Sequence, residues 1–211
     1  MYSEEISVSV IIPTYKDWSR LYLCLKALSN QSLNDTFEIL VVNNAPNDIT
    51  PKDLIIPENC SILSESRPGS YAARNKALSI AKGNIILTTD ADCIPPKNWI
   101  KIITSYFTKE TGMVVGMAPL KSTYWWLSSF ISMDALTADI LAYGSLGWGH
   151  AVACAGRNFA YRKSVFMEVN GFSGINHIIT GDDDLFLQKV AKMTNWKIQF
   201  STGIINGKLI F

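Results

Sequence analysis

The sequence has little of what marks several classes of protein. Its charges nearly cancel, with 19 Lys and Arg against 18 Asp and Glu, so no basic surface for nucleic acid is expected. Its N-terminus, MYSEEISVSV, is acidic and lacks the basic region of a signal peptide. The cysteines form no C-x-x-C pair, which supports neither a zinc site nor a disulfide framework and suits a cytoplasmic protein. They lie far apart, at Cys24, Cys60, Cys93 and Cys154.

Long apolar runs are also missing. No stretch reaches the roughly 18 residues that a membrane-spanning helix needs. The nearest candidate, residues 124–148, is interrupted by Asp134, Asp139 and several glycines. We interpret it as a buried or substrate-cleft segment. The alternative is a surface that contacts a lipid-borne acceptor or the inner face of a membrane, because aromatic residues suit such an interface. These aromatic residues are Trp125, Trp126, Phe130 and Trp148.

What is present predicts a single α/β domain spanning residues 1–211, because 48% of the residues are hydrophobic and apolar strands alternate with helices. The predicted strands cover residues 8–12, 37–42, 60–63, 84–88, 113–117 and a stretch near 152–161. A helical stripe at Trp18, Leu21, Leu25 and Leu28 follows the first strand. Further helices are predicted over 70–82, closed by Gly83, then from Pro95-Pro96 onward and near 183–193. This order predicts a mostly parallel central sheet flanked by helices.

Polar residues follow three of these strands. Ligands bind beyond the carboxyl ends of parallel strands, so Pro13 to Asp17, Asn43-Asn44 and Asp90 to Asp92 should converge on one edge. Asp90 and Asp92 form a D-x-D pattern after a buried strand. Two such carboxylates can share Mg²⁺ or Mn²⁺, which prefer oxygen ligands, or one of them can bind a ribose hydroxyl. The alternative is a solvated turn, where Asp is common.

Several segments together resemble the family 2 glycosyltransferases in order and spacing. They are VSVIIPTYKD, EILVVNNAPND, ARNKAL, AKGNIILTTDADC, ACAGRNFAYRKSVFMEVNGF and GDDDLFLQKV, and they cover residues 7 to about 200. The resemblance implies a GT-A (Rossmann-like) fold with a nucleotide-binding half over about 1–118 and an acceptor and catalytic half over about 119–211. It also implies transfer of a sugar, with inversion, from a nucleoside-diphosphate donor to a saccharide or lipid-linked hydroxyl acceptor in glycan or glycolipid synthesis.

The resemblance carries roles to residues of the nucleotide-binding half. Pro13 and Tyr15 would flank the nucleobase. Asn44, with Asn43 beside it, stands where the family usually has an Asp that binds uracil. A UDP-sugar is the expected donor, but an amide both accepts and donates, so another nucleotide stays open. Arg74 would lie near the diphosphate or the base, with a solvent-facing helix residue as the alternative.

The resemblance also implies which residues bind the metal ion and which one is the general base. Asp90 would contact the ribose or the metal, and Asp92 would ligate Mg²⁺ or Mn²⁺ bridging the diphosphate. Asp183 would be the general base, with Asp182 and Asp184 as alternates. Three crowded carboxylates should raise the proton affinity of at least one, which suits a base. Helix capping is the alternative for one or two of them.

Other expectations concern the second half of the chain. Gly156 and Asn158 would lie near the donor sugar, with a strand bulge as the alternative. His150 and His177 could be proton carriers or ligands but are more simply structural residues, and residues 174–180 suggest a lid over the acceptor. The Q-x-x-R-W segment of many membrane-associated relatives is missing, so we expect either truncation at the C-terminus or another way to clamp the diphosphate.

Two other functions are weighed. A nucleotidyltransferase would open with a Gly-rich phosphate loop where PTYKDW stands in this sequence. A sugar-nucleotide-binding domain with decayed catalysis is favoured by Asn44, but the D-x-D pattern and the acidic cluster argue against it. A glycosyltransferase is therefore the expected function.

Overall fold

The structure, a computed structural model, describes residues 7–32, 36–45, 47–118, 125–174 and 181–201. These residues form seven strands and six helices, in the order β1 (Val8–Thr14), α1 (Trp18–Leu28), β2 (Phe37–Asn43), β3 (Cys60–Ser64), α2 (Ser70–Leu78), β4 (Ile85–Thr88), α3 (Trp99–Ser105), β5 (Thr111–Gly116), α4 (Trp125–Gly147), β6 (Phe159–Arg162), α5 (Lys163–Glu168), α6 (Asp182–Met193) and β7 (Lys197–Ser201).

The strands form one sheet in the order β3-β2-β1-β4-β6-β5-β7. All neighbours are parallel except β6, which is antiparallel to both β4 and β5. The prediction of a mostly parallel sheet is therefore confirmed. Because β6 runs backwards, its first residue, Phe159, pairs with Thr88 at the end of β4. The loop that precedes β6 consequently lies at the edge where the parallel strands end.

Apolar side chains cover both faces of the sheet, because successive strand residues point to opposite sides. Val10 packs into a cluster with residues of α1 and α3, whereas Ile11 packs into a second cluster with residues of α2, α5 and α6. Each cluster is closed to solvent, so the sheet is sandwiched between helices as predicted.

The first strand runs past the predicted stop at Pro13. The backbone N–H groups of Ile11 and Pro13 both point towards β4, because alternate residues of a strand point to the same neighbouring strand. The pairing with β4 ends at Ile11 and Thr88. Pro13 therefore lies where β4 has no partner residue, so its missing N–H costs no ladder hydrogen bond.

Two predicted helix boundaries are wrong. The helix α2 ends at Leu78 and not at Lys82, so Gly83 is not its cap. Gly83 instead permits close packing on β1, since a Cβ there would lie 2.5 Å from Ser9 N. The helix α3 begins at Trp99 and not at Pro95, after a turn in which Trp99 N donates to Pro96 O over 2.9 Å.

Residues 125–147 form a single helix, α4. Asp139 and Ala142 are buried, but Met133, Ile140 and Leu141 are exposed, so the segment is buried on one face only, and its place in a substrate cleft or at a membrane stays a prediction. No helix among the described residues is both long and apolar enough to cross a membrane.

Candidate active site

The ends of β1, β2 and β4 meet at one edge, as predicted. Thr14 and Asn43 are paired at the last register position of β1 and β2. Arg20, on α1, forms an ion pair of 2.7 Å with Asp17 and lies 3.6 Å from Asp92. The loop after β1 and the D-x-D segment are thus electrostatically linked.

Asp90 and Asp92 follow β4 at this edge, and both are partly buried. Burial raises the pKa of Asp90, the Asp92 charge raises it further, and Arg74 opposes the shift. No cluster of three or more metal-ligating side chains occurs among the described residues. Two carboxylates nevertheless fit Mg²⁺ or Mn²⁺, because such ions commonly take one or two carboxylates together with water and substrate phosphates.

A buried ion pair includes Arg74, whose charge acts on Asp90. Arg74 Nη1 is 2.6 Å from Asp182 Oδ2, and the two residues are 3% and 4% exposed. Ser70 Oγ donates to the other Asp182 oxygen over 3.0 Å. A solvent-facing Arg74, the alternative raised from the sequence, is therefore wrong.

Arg74 also joins elements that are distant in sequence. Its Nη2 donates to Gly156 O over 3.4 Å, and its guanidinium lies 5.7 Å from the centre of the Phe159 ring. The side chain thus connects α2, α6 and the loop before β6. Contact between Arg74 and a diphosphate stays a prediction.

The three carboxylates at the start of α6 have different surroundings. Asp182 is held by Arg74, and Asp184 Oδ1 accepts from Cys154 N over 2.7 Å. Asp183 is partly buried and forms no hydrogen bond or ion pair with any other residue that the structure describes. Burial raises the pKa of Asp184, the hydrogen bond from Cys154 N opposes the shift, and the neighbouring carboxylates add to it. Among the described residues, Asp183 is thus the one of these three carboxylates that has no partner.

Gly156 lies against the Asp183 carboxylate. A Cβ at Gly156 would overlap Asp183 Oδ2 and would lie 3.0 Å from Arg74 Nη2. Thr88 Oγ1 fixes the segment by donating to Gly156 O over 2.8 Å. A larger residue here would therefore force the Asp183 carboxylate or the Arg74 guanidinium to shift, whereas the predicted place of Gly156 near the donor sugar stays a prediction.

Gly156→Ala is expected to displace the Asp183 carboxylate and to lower the free energy of unfolding by about 1–3 kcal/mol, the usual cost of overpacking. Urea denaturation measures the loss. Gly144→Ala is the matched control, because nothing lies within 4 Å of a Cβ there and alanine favours a helix. Equal stability of the two variants would contradict the packing described.

Asn158 is buried and its amide is used inside the protein. Trp99 Nε1 donates to Asn158 Oδ1 over 2.8 Å, and Asn158 Nδ2 donates to Met117 O over 2.5 Å. The side chain thereby anchors the loop before β6 to α3 and to the end of β5. Both ends of the amide therefore already have partners within the protein. The predicted contact of Asn158 with a donor sugar stays a prediction.

The sequence profile of Glycosyl transferase family 2 matches residues 9–170, most of the chain. The chain belongs to this family. Among curated relatives, glycosyltransferase AglE of Haloferax volcanii is 36% identical over 100 residues, covering 44% of this chain and 33% of AglE. An N-acetylglucosaminyltransferase of Azorhizobium caulinodans is 25% identical over 167 residues, covering 74% of this chain and 42% of that protein. The family 2 chain thus spans a third to two-fifths of the length of these relatives.

Solved structures share the fold. S. aureus TarS 1-349 in complex with UDP has a TM-score of 0.69 at 18% identity, covering 98% of this chain and 61% of that one. The mannosyltransferase PcManGT from Pyrobaculum calidifontis, in complex with GDP-Man and Mn²⁺, also has a TM-score of 0.69, at 21% identity, covering 97% and 56%. These likenesses show that the family 2 chain has the GT-A glycosyltransferase fold.

Asn43 and Asn44 hold the loops that follow β2 and β3 in this family 2 chain. Asn43 Nδ2 donates to Asp48 O over 2.8 Å and its Oδ1 accepts from Ala45 N. Asn44 Nδ2 donates to Glu65 O and Arg67 O, over 2.9 and 2.6 Å, and its Oδ1 accepts from Gly69 N over 3.0 Å. The Asp that the family usually has at this position could not form these contacts, because a carboxylate cannot donate to two carbonyls.

Asn44→Asp is expected to place a carboxylate against two carbonyl oxygens and to lower the free energy of unfolding by about 1–3 kcal/mol. Urea denaturation at neutral pH measures this loss. Asn98→Asp, at an exposed helix N-cap where Asp is well tolerated, is the control and should change stability little. If both variants are equally stable, Asn44 does not hold the loop as described.

The remaining predicted residues lie at the rim or outside the described part. Tyr15 is 64% exposed, with the Lys16 amino group 5.4 Å from its ring centre, and Pro13 is partly buried in β1. His150 is exposed, which leaves its predicted roles untested. His177 and residues 175–180 of the expected lid lie outside the described residues.

Sequence reasoning missed two charged residues near Asp183. Asp139 on α4 and Arg157 in the loop before β6 line the same pocket as Asp183. A signal for Asp139 existed, since it interrupts an apolar helix. Arg157 stood inside a quoted motif, but its neighbours in space could not be read from the chain.

Proposed function

We propose that this family 2 chain transfers a sugar from a nucleoside-diphosphate donor to a hydroxyl acceptor in one inverting displacement, with Asp183 as general base. One observation carries the proposal. Of the three carboxylates that open α6, only Asp183 is left without a partner among the described residues, and it lies next to Gly156 at the sheet edge. Asp182 and Asp184 remain as alternates, but each already accepts a hydrogen bond.

The base acts on the acceptor hydroxyl. Its proton passes to Asp183, its oxygen bonds to the anomeric carbon, and the nucleoside diphosphate leaves with the electron pair of the broken C–O bond. Asp183 must lie within hydrogen-bond reach of that hydroxyl. Arg74 supports this geometry as a positioning residue, because it fixes Asp182, one residue before the base, and the carbonyl of Gly156.

Asp90 and Asp92 would hold Mg²⁺ or Mn²⁺ in this reaction. When bound, the ion neutralises charge that develops on the departing diphosphate. Burial and the Asp92 charge raise the pKa of Asp90, and a bound cation would favour its ionised form. Arg20 beside Asp92 supplies part of that charge from the protein itself.

We propose a UDP-sugar as donor and a GDP-sugar as the second candidate. TarS was solved with UDP and UDP-GlcNAc, and PcManGT with GDP-Man. Pro13, Tyr15 and the loop tied by Asn44 would form the base site, while Gly156 and Asn158 would border the transferred sugar. A saccharide or lipid-linked acceptor, as in cell envelope polysaccharide synthesis, follows from the same proposal.

We also propose peripheral contact with the inner face of a membrane. The helix α4 and the residue that follows it carry exposed apolar side chains. Ile140 and Trp148 are 59% and 86% exposed, and Met133, Leu136 and Tyr143 are exposed as well. Ile140→Glu should reduce flotation of the chain with phospholipid vesicles severalfold, because a charge is costly at an apolar interface. Unchanged flotation, or none by the unaltered chain, would remove this proposal.

The transfer reaction is tested by measuring nucleotide release from UDP-GlcNAc and GDP-Man, with Mn²⁺ or with EDTA. Metal-dependent release by the unaltered chain supports the proposal, and the anomeric proton coupling of a product then reports inversion. Nucleotide binding without release would favour the decayed binding domain. Consumption of a nucleoside triphosphate with a sugar phosphate would favour a nucleotidyltransferase.

A further inference from the structure

A small pocket lies beside Asp183, between the sheet and α4. Its volume is about 210 Å³, and its side chains include Val115, Asp139, Ala142, Arg157 and Asp183. None of its lining residues comes from β1, β2 or β4, whose ends form the proposed nucleotide site. A ligand in this pocket would therefore meet Asp183 without occupying the nucleotide site.

Asp139 is the buried charge of this pocket. It is 8% exposed, and its Oδ2 accepts from Ala118 N over 3.4 Å. Burial raises its pKa, while Arg157 nearby opposes the shift. An apolar side chain would fill the same space without the cost of burying a carboxylate. The carboxylate thus points to a polar ligand.

Arg157 faces the same pocket and is fixed by the same backbone residue. Its Nη2 donates to Ala118 O over 2.9 Å, whereas its buried Nε has no hydrogen-bond partner within the part of the chain that the structure describes. No ion pair within 4.0 Å joins Arg157 to Asp139. The backbone of Ala118 therefore binds both the Asp139 carboxylate and the Arg157 guanidinium, and these two groups form no ion pair with each other.

We propose that Asp139 and Arg157 form an acceptor subsite that binds one neutral sugar ring and presents one of its hydroxyls to Asp183; this rests on the proposed function. Sugar hydroxyls donate to Asp139 and accept from Arg157, so a ring between them satisfies both side chains. The charged side chains that line the pocket are Asp139, Asp183 and Arg157, so its net charge is negative. A negative pocket disfavours an anionic ligand such as a uronate or a phosphate. The pocket is also smaller than the roughly 300–1,000 Å³ of sites for larger ligands, so it fits a single ring.

The probes are methyl glucoside, methyl galactoside, methyl mannoside and, as the anionic arm, methyl glucuronide. Nucleotide release from the accepted nucleotide sugar is measured against the concentration of each probe. At least one neutral glycoside should stimulate release, and the glucuronide should not. Asp139→Asn and Arg157→Gln should each raise the KM for that glycoside about tenfold or more, the usual effect of losing a charged hydrogen-bond partner. The Kd for nucleotide should stay within twofold, and Glu58→Gln, an exposed carboxylate beyond the site, is the control.

Four results would overturn the subsite. They are an unchanged KM for the glycoside in both variants, a loss of nucleotide affinity as large as the rise in KM, equal stimulation by the glucuronide, and no stimulation by any glycoside. Failure of the proposed function looks different, because the unaltered chain would then release no nucleotide from any donor, even to water.

Discussion

Asp183→Asn is expected to lower turnover by about 10²–10⁴-fold, the contribution typical of a general base. The Asn side chain keeps the size of Asp but cannot take the proton of the attacking hydroxyl. Nucleotide affinity should stay within about twofold, because Asp183 forms no hydrogen bond or ion pair with the described residues at the ends of β1, β2 and β4 and acts on Asp90 through its charge. Steady-state nucleotide release and calorimetric titration of the same preparation measure the two quantities separately.

Asp184→Asn is the matched control for this result. An Asn at position 184 still offers a carbonyl oxygen to Cys154 N, so the hydrogen bond of 2.7 Å is retained. Turnover should then fall by less than about tenfold. If Asp184→Asn is the more damaging change, the base is Asp184 and the assignment of Asp183 is wrong.

Arg74→Ala is expected to lower the free energy of unfolding by about 3–5 kcal/mol, the cost of leaving one partner of a buried ion pair without the other. Asp182 would remain almost fully buried with only Ser70 as partner. Two-state urea denaturation measures the loss. Arg20→Ala is the control, because its partner Asp17 and the Arg20 side chain are solvent-accessible and such pairs contribute about 0–1 kcal/mol.

A double substitution separates the ion pair from simple loss of packing. Arg74→Met with Asp182→Leu removes both charges and retains most of the volume, so it should recover much of the stability lost in Arg74→Ala. Its turnover should stay low, since the start of α6 would no longer be fixed relative to Gly156. Full stability of Arg74→Ala alone would contradict the burial of this pair.

The edge of the sheet could be predicted because its signals are local. Each strand was marked by its own apolar run, and parallel strands bring their carboxyl ends together without further information. Asp90 and Asp92 stood directly after one such run, so their place near the ends of β1 and β2 followed from chain order. The family resemblance then pointed to the start of α6 and to Gly156.

The partners of the polar side chains could not be predicted, because they are set by contacts between residues distant in sequence. Arg74 and Asp182 are 108 positions apart, and nothing in ARNKAL or GDDDLFLQKV indicates that they meet. Asn44 was expected at a nucleobase, but the conformation of residues 65–69 supplies partners for its amide within the protein. The extension of β1 through Pro13 likewise depends on the length of β4.

The ends of β1, β2 and β4 form the proposed metal-assisted nucleotide site. It is tested most directly by calorimetric titration of the chain with UDP, GDP, dTDP and CDP, each with and without Mn²⁺. We predict that one nucleotide binds at least about tenfold more tightly with Mn²⁺, a difference of about 1.4 kcal/mol, and that Asp92→Ala abolishes this gain. If no nucleotide binds in the presence of Mn²⁺, or if Asp92→Ala binds as well as the unaltered chain, the claim is contradicted.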